Sequence, residues 1–205
     1  MKELIIELES KKILKSDAIK KALQNVERKD FLPELSKKDS AINAPIPIGF
    51  GQTNSQPLTV VFMLELLDVK TGNKILDVGS GSGWTTALLA SLTGEKGEVT
   101  GVEKVKELVE FGQKNLEKYN FSNTKIIAAQ EKNFGIPEQK FDRILVSAAY
   151  HELPQDLLTQ LKPAGIMVIP VKNSILKVEK ISENEVKKTE FPGFVFVPLI
   201  KKAGG

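Results

Sequence analysis

Apolar residues recur at helical spacing near the start of this chain and in short, nearly unbroken runs through its middle. Over residues 2–14, Leu4, Ile5 and Leu8, then Ile13 and Leu14, stand among charges. Behind Ser16, a candidate N-cap, Ile19, Ala22, Leu23 and Val26 repeat at helical spacing. Two short amphipathic helices are therefore predicted. Phe31-Leu32-Pro33 closes that region, and Pro45, Pro47, Gly49 and Gly51 mark residues 33–54 as a long, mostly irregular connection. Such segments often carry function in compact domains. A nearly all-apolar, buried helix is expected over residues 56–67, with Ser55 as its N-cap and Pro57 in its first turn, where a missing N–H is tolerated.

From there strand and helix patterns alternate. Strands are expected at 74–78, 99–102, 125–128, 143–147 and 166–171, and helices at 84–92, 105–119 and 155–161. This alternation argues for a mainly parallel sheet covered by helices on both faces, with a ligand at the C-terminal strand ends. After Pro170 the pattern changes to β-rich pieces at 175–181 and 194–199, joined through the charged turn Glu183-Asn184-Glu185 and expected as antiparallel edge strands. The fold class is α/β, a doubly wound, mainly parallel sheet with a small N-terminal helical extension and C-terminal antiparallel edge strands. A chain of 205 residues without repeats or an interdomain linker suits one domain. Within it, residues 1–55 hold the N-terminal helices and loop, 56–171 the core, and 172–205 the C-terminal β segment.

Composition narrows the chemistry. A hydrophobic share of 41% with 27% charged residues is that of an ordinary soluble protein. The net charge is only +3 and the lysines are scattered, which argues weakly for nucleic acid and not at all for a basic groove. Without cysteine there is no disulfide, thiolate ligand or thiol nucleophile, and His151 is the only histidine, so a metal site has almost no support. No run reaches the roughly 18 apolar residues of a membrane span, and Met1-Lys2-Glu3-Leu4 does not resemble a signal peptide. The expectation is a cytoplasmic protein.

The chain is organised around Ile75-Leu76-Asp77-Val78-Gly79-Ser80-Gly81-Ser82-Gly83-Trp84, which reads as a buried strand, a glycine-rich turn and the start of a helix. Glycines at 79, 81 and 83 allow a tight turn that approaches a ligand closely, and the helix start offers N–H groups to a carboxylate. A dinucleotide fingerprint would place glycine or alanine at 84, where this chain has Trp84. The order resembles motif I of the class I AdoMet-dependent methyltransferases. Twenty residues beyond Gly83, Glu103 ends the next strand, where an acid can bind both hydroxyls of a ribose. Asp77 either orients the turn or meets a cationic part of the ligand. Gln130 and Glu131, at the end of the third strand, stand where a polar side chain can meet an adenine amino group. Cofactor-binding candidates are thus Asp77, Gly79, Ser80, Gly81, Gly83, Glu103, Gln130 and Glu131, with S-adenosyl-L-methionine as the cofactor and S-adenosyl-L-homocysteine as its product.

A second stretch, Gly49-Phe50-Gly51-Gln52-Thr53-Asn54-Ser55-Gln56-Pro57, resembles the Gly-Gln-Thr-x-Ser-x-Pro segment of the protein-L-isoaspartate O-methyltransferases. The likeness covers almost the whole chain, from Val26-Glu27-Arg28-Lys29-Asp30-Phe31-Leu32-Pro33, through Phe141-Asp142-Arg143 and Leu161-Lys162-Pro163-Ala164-Gly165, to Phe196-Val197-Pro198-Leu199. It implies a Rossmann-like methyltransferase domain that esterifies the free α-carboxylate of L-isoaspartyl residues in damaged proteins. The ester then collapses to a succinimide, which can reopen to normal aspartate. The family gives a substrate-side catalytic role to the serine matching Ser55 and places the threonine matching Thr53 in the same loop. A carboxylate is already ionised at neutral pH, so orientation and water exclusion suffice without a base or a metal. Ser55 fits both as a donor aiming the carboxylate and as a plain N-cap. The chain departs from the family pattern at Asn54, usually apolar, at Gln130-Glu131-Lys132, commonly Gly-Asp-Gly, and at Tyr150-His151.

The expected partners are isoaspartyl proteins and peptides, with no nucleic acid or membrane, and the expected state is a monomer. The competing readings are a methyltransferase with an RNA or small-molecule acceptor, a non-catalytic AdoMet-binding module and, more distantly, a nicotinamide oxidoreductase.

Overall fold

The computed structural model describes residues 2–130 and 133–199. At its centre lie short strands of β-branched and leucine-rich sequence whose successive side chains enter two different cores. The parallel strands are β3 (Lys74–Val78), β4 (Glu98–Glu103), β5 (Thr124–Ala128), β6 (Phe141–Val146) and β7 (Leu161–Val171), and β8 (Ser174–Lys180) and β9 (Val186–Pro192) follow antiparallel. Their order is β5-β4-β3-β6-β7-β8-β9, so the chain steps one way from β3 to β5 and then returns past β3 to β6. The strand order reverses beside β3, and such a crevice is where open α/β sheets hold ligands.

On one face, Ile75, Val99, Leu145, Val168 and Ile175 join a core with α1 (Lys2–Ser10), α2 (Asp17–Asn25), α3 (Pro57–Leu67) and α4 (Trp84–Thr93). On the other, Leu76, Val78, Val102, Ile144 and Met167 pack with Leu157 of the short α6 (Gln155–Gln160) and with Phe134 and Ile136 of a loop. Gln160 pins that loop from within, accepting from the Ile136 N–H at 2.6 Å and donating to the Phe134 carbonyl at 2.7 Å. The helix α5 (Lys106–Leu116) covers β4 and β5, and α4 is buried almost all round because α2 lies over it.

Several boundaries differ from the sequence reading. Ser16 does cap α2, accepting from the Ile19 N–H, but α3 has Gln56 and not Ser55 at its N-cap, without a side-chain bond. Gln56 instead donates to the Asn43 carbonyl, and Ser55 lies ahead of the helix, outside any helix or strand. The connection 33–54 is less irregular than expected. A 3-10 turn at Arg28–Phe31 precedes it, and it contains a second at Glu34–Asp39 and a hairpin of β1 (Ile46–Gly49) and β2 (Gln52–Asn54). Its strands are only four and three residues long, too short to stand out in the sequence. Tyr119 lies beyond the end of α5, where its hydroxyl accepts from the Glu27 N–H and donates to Asp30, holding the first 3-10 turn against α5.

Residues 194–199 do not form an edge strand. The edge is β9, whose exposed, lysine-bearing sequence carries no apolar rhythm. Gly193, at φ 94°, turns the chain out of β9, Phe194 stacks on Phe62 of α3 at 5.2 Å, and the segment then crosses the strand ends. There Val197 and Leu199 exchange backbone bonds with Ala149.

Leu8 of α1 is fully buried in the same core as Ile75 and Leu145, so the N-terminal helices belong to the cooperative unit. Leu8→Ala should cost about 2–5 kcal/mol in urea unfolding, with a single transition; a separate early transition for α1 and α2 would contradict this placement.

Candidate active site

Val78 leaves the buried β3 into a turn in which Gly79, Gly81 and Gly83 have φ of 78°, 53° and 90°, the left-handed region that side chains avoid. The Gly79 and Ser80 N–H groups donate to the Val102 carbonyl at 2.8 and 3.2 Å, which fixes the turn to the end of β4. Glu103 closes the clamp. One carboxylate oxygen accepts from the Gly81 N–H at 2.9 Å, the other from the Lys104 and Val105 N–H groups at 2.7 and 2.9 Å. The N-cap of α4 is Gly83, so no side chain answers the free N–H groups at this helix start. Behind the turn two further glycines allow close approach. A Cβ on Gly101 would lie 3.0 Å from that of Ser80, and one on Gly112 would lie 3.0 Å from the Gly81 carbonyl oxygen.

Asp77 sits beneath this turn, fully buried. One of its oxygens accepts from Thr85 and Thr86 at 2.8 and 2.7 Å, tying α4 to β3, while the other has no partner among the described residues. Burial pushes its carboxyl up from the usual 3.8 to about 6, against the two threonine bonds, with the nearby Glu103 charge adding to the rise.

The loop facing the turn is organised by Arg28, which is wholly buried with no carboxylate against it among the described residues. Its guanidinium donates to the side-chain oxygen of Asn54 at 2.8 Å and to the carbonyls of Ile42 and Ala44 at 2.8 Å, Ser55 at 3.0 Å, Asn54 at 3.2 Å and Ser40 at 3.4 Å. It also lies 5.3 Å from the centre of the buried Trp84 ring, a cation–π distance. Burial lowers its pKa to about 10, which leaves it charged at neutral pH. Asn54 is buried as well and donates to the Ser82 hydroxyl at 3.2 Å. Hairpin residues Ile46 and Ile48 pack with Leu108 of α5, placing the loop over the turn.

Between loop and turn lies a cavity of about 510 Å³, within the usual range for small-molecule sites. Of the residues singled out from sequence, Thr53, Ser55, Gly79, Ser80, Gly81, Glu103 and Gln130 line it. Asp77 and Gly83 stand behind its wall, and Glu131 lies outside the described residues. The Ser55 hydroxyl makes no hydrogen bond among the described residues, whereas the Ser80 hydroxyl is turned toward Gly101 behind the turn, buried and without a partner among the described residues. Sequence reasoning did not single out Phe50, Ser82 or Phe134 as wall residues, nor the cover formed by Val197, Pro198 and Leu199. Phe50 carried a signal in hindsight, an aromatic side chain between two glycines in an otherwise polar loop. His151 is exposed beside Glu152 and does not reach this cavity.

The Asp77 carboxyl holds its proton more tightly folded than unfolded. Its stabilising contribution is therefore full below about pH 4 and lost as pH rises through about 6. Asp77→Asn keeps an oxygen for Thr85 and Thr86. In urea unfolding of the ligand-free protein it should be more stable than wild type at pH 7.5 by up to about 3 kcal/mol, a gap that shrinks toward pH 4. A gap independent of pH would contradict the buried carboxyl.

Comparison with known proteins matches this arrangement end to end. The model of the protein-L-isoaspartate(D-aspartate) O-methyltransferase family matches residues 1–204. The protein-L-isoaspartate O-methyltransferase of Methanopyrus kandleri is 38% identical over 206 residues, 98% of this chain and 91% of the relative. That of Pyrococcus horikoshii is 37% identical over 202 residues, 96% and 91% of the two chains. Among solved structures, a Plasmodium falciparum protein described as a protein-L-isoaspartate O-methyltransferase in complex with S-adenosyl-L-homocysteine superposes with a TM-score of 0.82 at 28% identity, covering 98% of each chain. With its glycine turn, its Thr53-x-Ser55-x-Pro57 loop and a match spanning nearly every residue, the chain belongs to the protein-L-isoaspartate(D-aspartate) O-methyltransferase family.

Proposed function

We propose that the cavity binds S-adenosyl-L-methionine along the glycine turn and an L-isoaspartyl residue against the Thr53–Ser55 loop. The observation that carries this reading is that Glu103 and the unengaged Ser55 hydroxyl open onto one cavity. The residues suit the cofactor. Glu103 has carboxylate lone pairs beyond its three backbone bonds for a ribose hydroxyl, and the uncapped start of α4 suits a carboxylate. Ser80 contributes backbone to the turn wall, and Gln130 stands where an adenine edge would lie. Asp77 acts from behind, holding α4 in place. When bound, the cofactor supplies a methyl group made electrophilic by its sulfonium.

The acceptor carboxylate is its own nucleophile, so the chain's task is to aim it. Ser55 donates a hydrogen bond to it, Thr53 flanks it, and Phe50 with Val197, Pro198 and Leu199 keeps water from the site. This is the methyl esterification that begins repair of isoaspartyl damage. The chain acts as one domain, in which residues 1–55 bring the acceptor loop, 56–171 the cofactor core and 172–205 the β segment that also covers the cavity. The reading takes the enzyme to be a cytoplasmic monomer that works on damaged polypeptide and not on nucleic acid or membrane; no described helix is long and apolar enough to cross a membrane.

Labelled S-adenosyl-L-methionine with paired peptides, isoaspartyl or aspartyl at one site, should give base-labile ester on the isoaspartyl peptide only. Ser55→Ala should lower kcat by about 10- to 100-fold with cofactor affinity kept. Equal labelling of both peptides, or full activity in Ser55→Ala, would overturn the assignment.

A further inference from the structure

Arg28 is an unusual way to hold a loop. A buried charge is ordinarily paired with an opposite one, because desolvating it alone is costly. Here six contacts to uncharged oxygens, all from residues 40–55, satisfy its donors instead. The guanidinium thereby gathers the backbone of the segment that bears Thr53 and Ser55.

Asn54 extends this grip to the cofactor side. Arginine can only donate, so the amide oxygen of Asn54 must face Arg28 and its NH2 must face Ser82. The Ser82 carbonyl in turn accepts from the Asn115 side chain of α5 at 3.0 Å. A continuous buried strut therefore runs from Arg28 through Asn54 and the glycine turn to α5. Thr53, Asn54 and Ser55 all line the cavity, and of the three Asn54 is the buried one, its side chain engaged by Arg28 and Ser82. An apolar residue at 54, the usual type in the family, would leave the Arg28 Nε–H without this acceptor and the loop without this tie to the turn.

We propose that Asn54, held by Arg28, is a positioning residue that sets the separation and angle between acceptor carboxylate and methyl donor by fastening the acceptor loop to Ser82. The inference rests on the proposed function. A misplacement of about 1 Å in such a transfer can cost about 100-fold in rate.

The test compares Asn54→Leu, Asn54→Asp, Ser82→Ala and the Asn54→Leu/Ser82→Ala double variant, each checked for folding. Asn54→Leu should lower kcat by about 10- to 100-fold while calorimetric affinity for S-adenosyl-L-homocysteine stays within about threefold. Asn54→Asp should retain most of the activity, because Ser82 can rotate to donate to it. Ser82→Ala should resemble Asn54→Leu, and the double variant should be no worse than either. Wild-type kcat in folded Asn54→Leu, or losses that multiply in the double variant, would overturn the proposal. If Asn54→Leu does not fold, Ser82→Ala decides, and unchanged kcat there overturns it. Hydrogen exchange separates this idea from the functional reading. S-adenosyl-L-homocysteine should slow exchange over residues 46–56 in wild type and not in Ser82→Ala. That dependence would support the strut even if no isoaspartyl peptide were methylated, and equal protection in both would refute it.

Discussion

The desolvated charge of Arg28 is the constraint on which the rest of the site depends. A guanidinium removed from water must have its donors satisfied, and among the described residues the oxygens that accept from it are those of the segment from Ser40 to Ser55. That requirement folds a proline- and glycine-containing stretch, which has little regular structure of its own, into one arrangement against Trp84. The cost of burying the charge is offset only when every one of these contacts forms together. The acceptor loop is thus ordered cooperatively, and its geometry is a property of the core.

The opposite wall is built by a different device. Parallel strands end in line, and the backbone leaving β3 is free to turn sharply only because glycine occupies the left-handed positions. Val102 and Glu103 then bind that turn through its N–H groups, so the carboxylate proposed to meet a ribose is already a structural clamp. Gly101 and Gly112 let β4 and α5 come close enough behind it to leave no slack. The two walls meet through the Asn54–Ser82 hydrogen bond, the contact by which the proposed function would keep cofactor and acceptor in register.

Much of this was legible in sequence where local chemistry and tertiary need coincide. The strands 74–78 and 99–102 and the turn between β3 and α4 combine apolar runs with glycine, and no competing structure suits them. Thr53, Ser55 and Glu103 were reached through spacing and resemblance, and all three line one cavity. What escaped was long-range. Nothing adjacent to Arg28 signals burial, since its partners lie 12 to 27 residues away. Asn54 read as a departure because its reason is Arg28. The run at 194–199 has the aromatic and β-branched composition of a strand, yet Gly193 and Pro198 divert it over the cavity, while the polar β9 becomes the edge. Ser55 looked like an N-cap because serine before proline commonly is one, but Gln56 takes that position.

The most direct measurement is a crystal structure of the protein with S-adenosyl-L-homocysteine and an isoaspartyl peptide bound together. The account predicts the ribose on Glu103, the peptide carboxylate hydrogen-bonded to the Ser55 hydroxyl and aimed at the sulfur, and the Arg28–Asn54–Ser82 contacts intact. A carboxylate bound away from Ser55, or a loop that releases Arg28 when the peptide enters, would contradict it.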